Sequence, residues 1–404
     1  MMRSLRPNRL SDSPATEPIR HLLMMSEEMT SGEAQSGEAQ SDRLINREAD
    51  GPTMLRNASA ALELAGSSTP RLDAELLLAA LLGTRVATLR TAVAAGFPLP
   101  LPQSSGLPEP EPLRERHPQL ADALQIARAA LAAGDAPAAL AALVNERAKG
   151  RPISHLTGTR GFRALELLVT PDVLDPRPET ELVVETALAY LSDRVAAART
   201  LGRAPQPLNA AEIGTGSGAI AIAIASESPA PLRLTATDLS GEALAVARAN
   251  ALRAGVASRI TFLHGDLAEP LLASRAPGDP AHLDLLLANL PYVPSDEVDA
   301  ARSAIGFQRD TESEPSPRDL SQISIAAEPR LALDGGSDGL ECIRRLIAEL
   351  PRLLRPGAAA ILEFGDGQAD AVSALVAGLG LGWRVSIRGD LSGRARVAEI
   401  RRSG

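Results

Sequence analysis

Cysteine is almost missing from this chain: Cys342 is the only one in 404 residues. That excludes disulfide frameworks and cysteine-based metal centres. Cys342 lies in "GLECIRRLI", whose apolar spacing is helical, and is expected as a small buried hydrophobe. Histidine is scarce too. His21, His117, His155, His264 and His282 show no ligand spacing, so no metal site is expected. Aromatic residues make up 2% of the chain, and each Tyr or Trp has to be weighed singly. No apolar run reaches the length of a membrane span. The first 23 residues hold Asp12 and Glu17 and no apolar centre, which argues against a secretory signal. A basic stripe is lacking as well. The net charge is −9, the pI about 5.3, and the arginines are scattered among acids. Direct nucleic-acid binding is therefore not expected. A soluble cytoplasmic protein without a membrane partner is the expectation.

What is present is enough apolar residue, 45%, for a sizeable core, and enough length for two or three domains. Residues 1–53 are polar and include the tandem repeat "SGEAQSGEAQ"; they are expected to be a disordered tail, with Met54 a plausible start. Residues 54–149 predict a small all-helical domain. In "TPRLDAELLLAALLG", Thr69 suits the N-cap, Pro70 the first turn and Gly83 the C-terminus, with Leu72, Leu76, Ala80 and Leu81 on one face. A Pro-rich stretch, 96–118, interrupts this domain as an exposed extended segment. Residues 150–175 predict a hairpin linker. From 176 to 404 strands alternate with helices, the strands at 208–213, 232–238, 260–264, 283–288, 358–364, 383–388 and 395–401. This predicts a seven-stranded, mostly parallel sheet covered on both faces, with a closing hairpin that makes the last strand antiparallel.

Chemistry concentrates where these strands end. "NAAEIGTGSGAIAIAIA" joins a strand to a helix through Gly214, Thr215, Gly216, Ser217 and Gly218. Glycines permit a tight turn and close approach of a ligand to the main chain, and the following helix N-terminus offers unpaired N–H groups. Asp238 ends the next strand, where a carboxylate can accept hydrogen bonds from both hydroxyls of a ribose. Asp266, in "FLHGDL", ends the third strand, where an adenine amino group would lie. Together they predict a nucleoside cofactor at the carboxyl ends of the strands; the loop alone is also compatible with a mere strand–helix turn.

The fourth strand ends in "DLLLANLPYVP". Asn289 can accept a hydrogen bond through its side-chain oxygen, and Leu290 a second through its carbonyl. Pro291 stiffens the turn, and Tyr292 offers a ring face for a planar group. This is a holder for a planar NH₂. Two acceptors would orient an amide nitrogen, a poor nucleophile, and favour the charge it gains in attacking a methyl sulfonium.

These stretches resemble the HemK/PrmC family, protein-(glutamine-N5) methyltransferases that modify class I peptide chain release factors. "PRLDAELLLAALLG" resembles the family's helical N-terminal domain, "TPDVLDPRPETELVVE" the entry into the catalytic domain, "EIGTGSGAIAIAIA" and "ATDLSGEALAVARANA" its S-adenosylmethionine motifs, and "LLLANLPYV" its N-P-P-Y motif. The resemblance implies a Rossmann-like methyltransferase fold, S-adenosylmethionine as cofactor, and a helical domain that docks the release factor. It places the methionine end of the cofactor on Gly214 to Gly218, the ribose on Asp238 and the adenine beside Asp266 and Leu267. Asn289 would lie near the sulfonium, and with Leu290, Pro291 and Tyr292 would form the pocket for the glutamine of a Gly-Gly-Gln loop. Arg177, Glu179 and Thr180 of "PRPET" would start a helix beside the cofactor. Leu290 replaces the family's first proline, Asp175 stands where a hydrophobic residue is usual, and 303–322 has no counterpart and is placed to form a lid.

Two other functions fit the same motifs. One is N-methylation of an exocyclic amine on a nucleic-acid base, disfavoured by the acidic, aromatic-poor composition. The other is a binding protein that holds the cofactor without catalysis, to which only Leu290 lends support.

Overall fold

Leucine and alanine, both strong helix formers, are abundant from residue 54 to 157, and the described residues of that stretch are mostly helical. The computed structural model describes residues 51–95, 105–273, 282–306 and 326–404, the side chains of 304–306 excepted. The expected tail as far as residue 50, the first part of the Pro-rich stretch and most of the expected lid lie outside the described residues. The chain divides between Thr157 and Gly158 into two compact units. The first holds α1 (Gly51–Leu64), α2 (Pro70–Leu81), α3 (Val86–Ala94), α4 (Glu111–Arg114), α5 (Pro118–Ala132), α6 (Ala136–Ala148) and α7 (Ile153–Thr157).

Four expectations change in this unit. Helix α1 begins at Gly51, ahead of Met54, so the helical unit starts slightly earlier than 54 and runs on through α7. Helix α2 turns a different face to the core: Ala74, Leu77, Leu78 and Leu81 are buried, while Leu72 is 41% exposed. Its leucine run offers two apolar stripes at helical spacing, and buried Asp73 selects between them. That carboxylate accepts from Ser67 Oγ at 2.9 Å, Thr69 Oγ1 at 3.0 Å and Arg147 Nε at 2.9 Å. Thr69 therefore donates to Asp73 and does not cap the helix through its side chain. The described end of the Pro-rich stretch is not simply exposed: Leu107 and Leu113 are buried in the helical core.

The second unit opens with the antiparallel hairpin of β1 (Thr159–Phe162) and β2 (Leu165–Leu168). This hairpin does not act as a bare linker. Phe162 and Leu167 join the main apolar core of the unit, and Asn250 holds the Leu168 backbone through both its amide groups, at 2.6 and 2.9 Å. Then come α8 (Glu181–Thr200), β3 (Leu208–Ile213), α9 (Ala219–Glu227), β4 (Leu232–Asp238), α10 (Gly241–Arg253), β5 (Ile260–His264), α11 (Glu269–Ala273) and β6 (Leu283–Asn289). After them are α12 (Ser295–Gly306), α13 (Arg330–Leu333), α14 (Glu341–Leu353), β7 (Leu354–Glu363), α15 (Ala369–Ala377), β8 (Trp383–Gly389) and β9 (Ala395–Arg402).

Seven strands form one sheet in the order β5-β4-β3-β6-β7-β9-β8. The pairs from β5 to β7 are parallel, and β9 runs antiparallel to both its neighbours. The antiparallel strand is the last in the chain, as expected, yet it lies inside the sheet. Central strands read as continuous apolar runs because both faces are covered. Leu285 and Leu287 of β6 enter the core on one face, and Leu286 and Ala288 the core on the other. The far end of β6 is pinned by buried Asp284, whose Oδ2 accepts from the Asn209 N–H at 2.9 Å and which pairs with Arg355. The chain leaves β3 toward β4 and β5, then returns to β6 on its other side. That reversal opens a crevice at the carboxyl ends of β3 and β6, where α/β sheets bind ligands. Among the described residues, no single helix is long and apolar enough to cross a membrane.

Candidate active site

The turn after β3 is built on left-handed backbone: Gly214, Gly216 and Gly218 have φ of 71°, 54° and 85°. At Gly218 a side chain is excluded twice over. Its Cβ would sit 2.8 Å from Ile222 Cδ1 and 3.2 Å from Ala247 Cβ. At Gly216 the same position is open, so the backbone there faces a cavity. The turn is tied to the neighbouring strand: the Gly214 and Thr215 N–H groups both donate to Thr237 O at 2.9 Å. Gly214, Thr215, Gly216, Ser217, Asp238, Asp266, Leu267, Asn289, Leu290 and Pro291 all line one cavity. Thr180 lines it too, whereas Gly218, Tyr292, Arg177 and Glu179 do not.

Asp238 accepts from the Gly216 N–H on Oδ2 and from the Ser240 N–H on Oδ1, both at 2.8 Å. Each oxygen keeps a lone pair for further donors. Burial raises this carboxyl above its usual range, opposed by those N–H donors. Asp266 is already engaged by Arg345 in an ion pair across the rim. Leu267, at φ 45°, is one of two described non-glycine residues with positive φ. Thr237 Oγ1 donates to its carbonyl at 3.0 Å, which fixes the bend that carries it to the cavity.

On the other side, Asn289 ends β6 and its Nδ2 donates to Thr180 Oγ1 at 3.0 Å. Leu290 is buried, and its Cδ2 lies 3.0 Å from where a Cβ on Gly214 would be. The leucine thus fills the space that the first loop glycine leaves. The next turn is braced from behind. A Cβ on Gly335 would meet Pro291 O at 2.7 Å, and one on Gly339 would meet Tyr292 O at 2.3 Å, so glycine is required where these backbones touch. Tyr292 is half-buried, and its hydroxyl donates to Glu363 Oε1 at 3.2 Å. Burial and the adjacent carboxylate push the phenol far above its ordinary range.

Arg177, Glu179 and Thr180 occupy a short 3-10 turn and its cap before α8. Arg177 Nη2 grips Glu328 by both oxygens, at 2.7 and 2.8 Å, although burial still pushes that carboxyl up to about 7. Asp175 is buried nearby, 3.7 Å from Arg160, so the polar residue found where a hydrophobic one is usual has an ion-pair partner. Cys342 is half-buried and lines the cavity, where it was expected inside a core. Burial raises its thiol above the usual range, which favours the neutral form.

Sequence reasoning missed two acids. Glu212 precedes the loop and is buried, accepting from Thr215 Oγ1 at 2.5 Å and the Ala221 N–H at 3.1 Å, with burial pushing it up to about 8. Glu363 ends β7 and pairs in register with Asn289. In both cases the available signal was a charged residue closing an apolar strand, in "NAAEI" and "AAAILE". Among the described residues no group of His, Cys, Asp and Glu is placed to hold a metal ion.

A nucleoside with an aminoacyl-like sulfonium arm fits these residues. The open face at Gly216, the spare lone pairs of Asp238 and the apolar walls from Leu239 and Leu267 match its backbone, ribose and base contacts. Comparison with known proteins agrees. A methyltransferase domain model matches residues 210–305, and a PrmC N-terminal domain model matches 53–94. The release factor glutamine methyltransferase of Moorella thermoacetica is 37% identical over 253 residues, 63% of this chain and 76% of that protein. Its counterpart in Bordetella pertussis is 38% identical over 256 residues, 63% of this chain and 80% of that one. A crystal structure of a release factor-specific protein-(glutamine-N5) methyltransferase from Alicyclobacillus acidocaldarius is similar at 28% identity. It covers 57% of this chain and 94% of that one, with a TM-score of 0.34.

Proposed function

From the premise that the chain belongs to the release factor glutamine methyltransferase family, we propose how its residues carry out the reaction. The enzyme methylates the side-chain amide nitrogen of a release-factor glutamine, with S-adenosylmethionine as cofactor. The glutamine is that of a Gly-Gly-Gln loop in class I factors, and the helical unit docks the factor. What carries this reading is the meeting of Asn289 and the glycine turn on one cavity, with Asn289 Nδ2 already committed to Thr180.

The cofactor supplies an activated methyl group when bound. The turn from Gly214 to Gly218 holds its amino-acid end, Asp238 its ribose hydroxyls, and Asp266 with Leu267 its base. Asn289 Oδ1 and the Leu290 carbonyl accept the two N–H groups of the substrate carboxamide. They orient its nitrogen and favour the positive charge that it gains, so acceleration comes from positioning and electrostatics. Pro291 holds the turn, and Tyr292 forms the wall behind it. Among the described residues no histidine lines the cavity, and the departing proton passes to water.

The test is incubation with methyl-labelled cofactor and a purified class I release factor. Label is expected in the factor and absent when its Gly-Gly-Gln glutamine is replaced with alanine. Label in duplex DNA would install the base-methylation reading instead, and cofactor binding without transfer the non-catalytic one.

A further inference from the structure

Behind Asn289 a buried polar chain runs away from the cavity. Asn289 Nδ2 meets Thr180 Oγ1 at 3.0 Å. Thr180 is 4% exposed and lines the cavity. Its hydroxyl lies close enough to Glu363 to favour the ionised form of that acid. The two groups are close without meeting in ordinary hydrogen-bond geometry, and Glu363 Oε2 has no hydrogen-bond partner. Tyr292 donates to Oε1 of the same carboxylate. Glu363 is 1% exposed and stands directly beside Asn289 in the sheet.

The chemistry of the acid at the end gives the chain a direction. An ionised carboxylate only accepts. While Glu363 is ionised it therefore draws the protons of both neighbouring hydroxyls toward itself. Thr180 Oγ1 is left with lone pairs alone, and of the two ends of the Asn289 amide only Nδ2 can meet it. The carbonyl oxygen is then the end left for the cavity. The two ends of an asparagine amide have nearly the same shape, so packing alone does not select between them. A flipped amide would set N–H against the N–H groups of a substrate carboxamide.

We propose that Glu363 and Thr180 form a positioning relay that holds the Asn289 side chain with its carbonyl oxygen toward the substrate amide. The inference rests on the role given to Asn289 above. Neither residue touches the reacting atoms, and no bond is made or broken in the relay. Burial, acting first, pushes Glu363 up to about 7. Thr180, Tyr292 and Arg396 bring it down, and Glu179 raises it further. Below that pH the protonated acid can donate as well as accept, and the relay loses its direction.

The experiment measures kcat and KM for the release factor, and Kd for S-adenosylmethionine, in the full-length enzyme and its variants. Thr180→Val, close in shape but without a hydroxyl, is expected to lower kcat about tenfold or more while sparing cofactor Kd. Thr180→Ser, which keeps the relay, is expected to stay near wild type. Glu363→Gln, able to donate or accept, is expected to show an intermediate loss of kcat. The wild type is expected to lose kcat below about pH 7; Glu363→Gln should lack that fall, and it should add little to Thr180→Val. A Thr180→Val enzyme with wild-type kcat overturns the relay. So does one that loses cofactor binding along with turnover, since that makes Thr180 part of the scaffold. A wild type that puts no label into the factor removes the functional reading and the relay together, whereas an active wild type with active variants removes the relay alone.

Discussion

The two ends of the cavity are made in different ways. The cofactor end is local: the turn after β3 is held by the next strand, and the Gly216 N–H reaches Asp238 across 22 residues. The acceptor end is distant: Asn289 meets Thr180 across 109 residues, Arg177 meets Glu328 across 151, and Tyr292 meets Glu363 across 71. One end is mostly backbone, shaped by glycines with positive φ. The other is mostly side chains, each oriented by a buried partner. Backbone turns make a general holder for a nucleoside. Side-chain networks make a direction-sensitive grip on one chemical group.

Substitutions should separate the two ends. The largest effect is expected from Asn289→Ala, which removes the side-chain acceptor. A loss of about 10²–10³ in kcat with cofactor Kd nearly unchanged is the expected outcome, from steady-state rates and calorimetry. A matching loss of cofactor affinity would erase the distinction. Asp238→Ala should do the reverse: Kd for S-adenosylmethionine rises about tenfold to a hundredfold, while kcat at saturating cofactor changes much less. Gly218→Ala puts a Cβ against Ile222 and Ala247 at φ 85°. It should cost about 1–3 kcal/mol of stability, read from urea melts, and weaken cofactor binding through the displaced turn. Leu290→Ala empties the space beneath Gly214. It alone is expected to move kcat and cofactor Kd together, because that side chain belongs to both ends.

The smallest effect concerns pH. Glu212 is pushed up to about 8, and Glu363 and Glu328 to about 7, from 4.5. Between pH 4.5 and those values the folded state binds more protons than the unfolded one, so stability falls as pH rises. The melting temperature of the ligand-free enzyme should decline from pH 5 to pH 8. An increase over that range would mean that these acids are ionised in the folded state at low pH.

The same contrast explains what could be read from the residues alone. The seven strands, the glycine turn, Asp238 and the antiparallel last strand follow from short-range patterns, because each is a property of consecutive residues. Asn289 was legible because it closes a leucine run with a stiff turn. Thr180 was visible as part of a helix start but not as the partner of Asn289, and Glu363 was not singled out. Their roles depend on the register of β6 against β7, which no local pattern encodes. Helix α2 is where expected, but its buried face is not, for a related reason: its leucine run supports two faces, and Asp73 on the buried one meets Arg147, 74 residues away.

The placement of Glu363 on β7 bears on synthesis. A chain emerging from its N-terminus presents the glycine turn and Asp238 first, and these can assemble with few distant neighbours. The carboxylate behind Asn289 arrives only with the last strands, after the loop between positions 180 and 363 has closed. The grip on the acceptor amide is therefore the last part of the cavity that the growing polypeptide can complete.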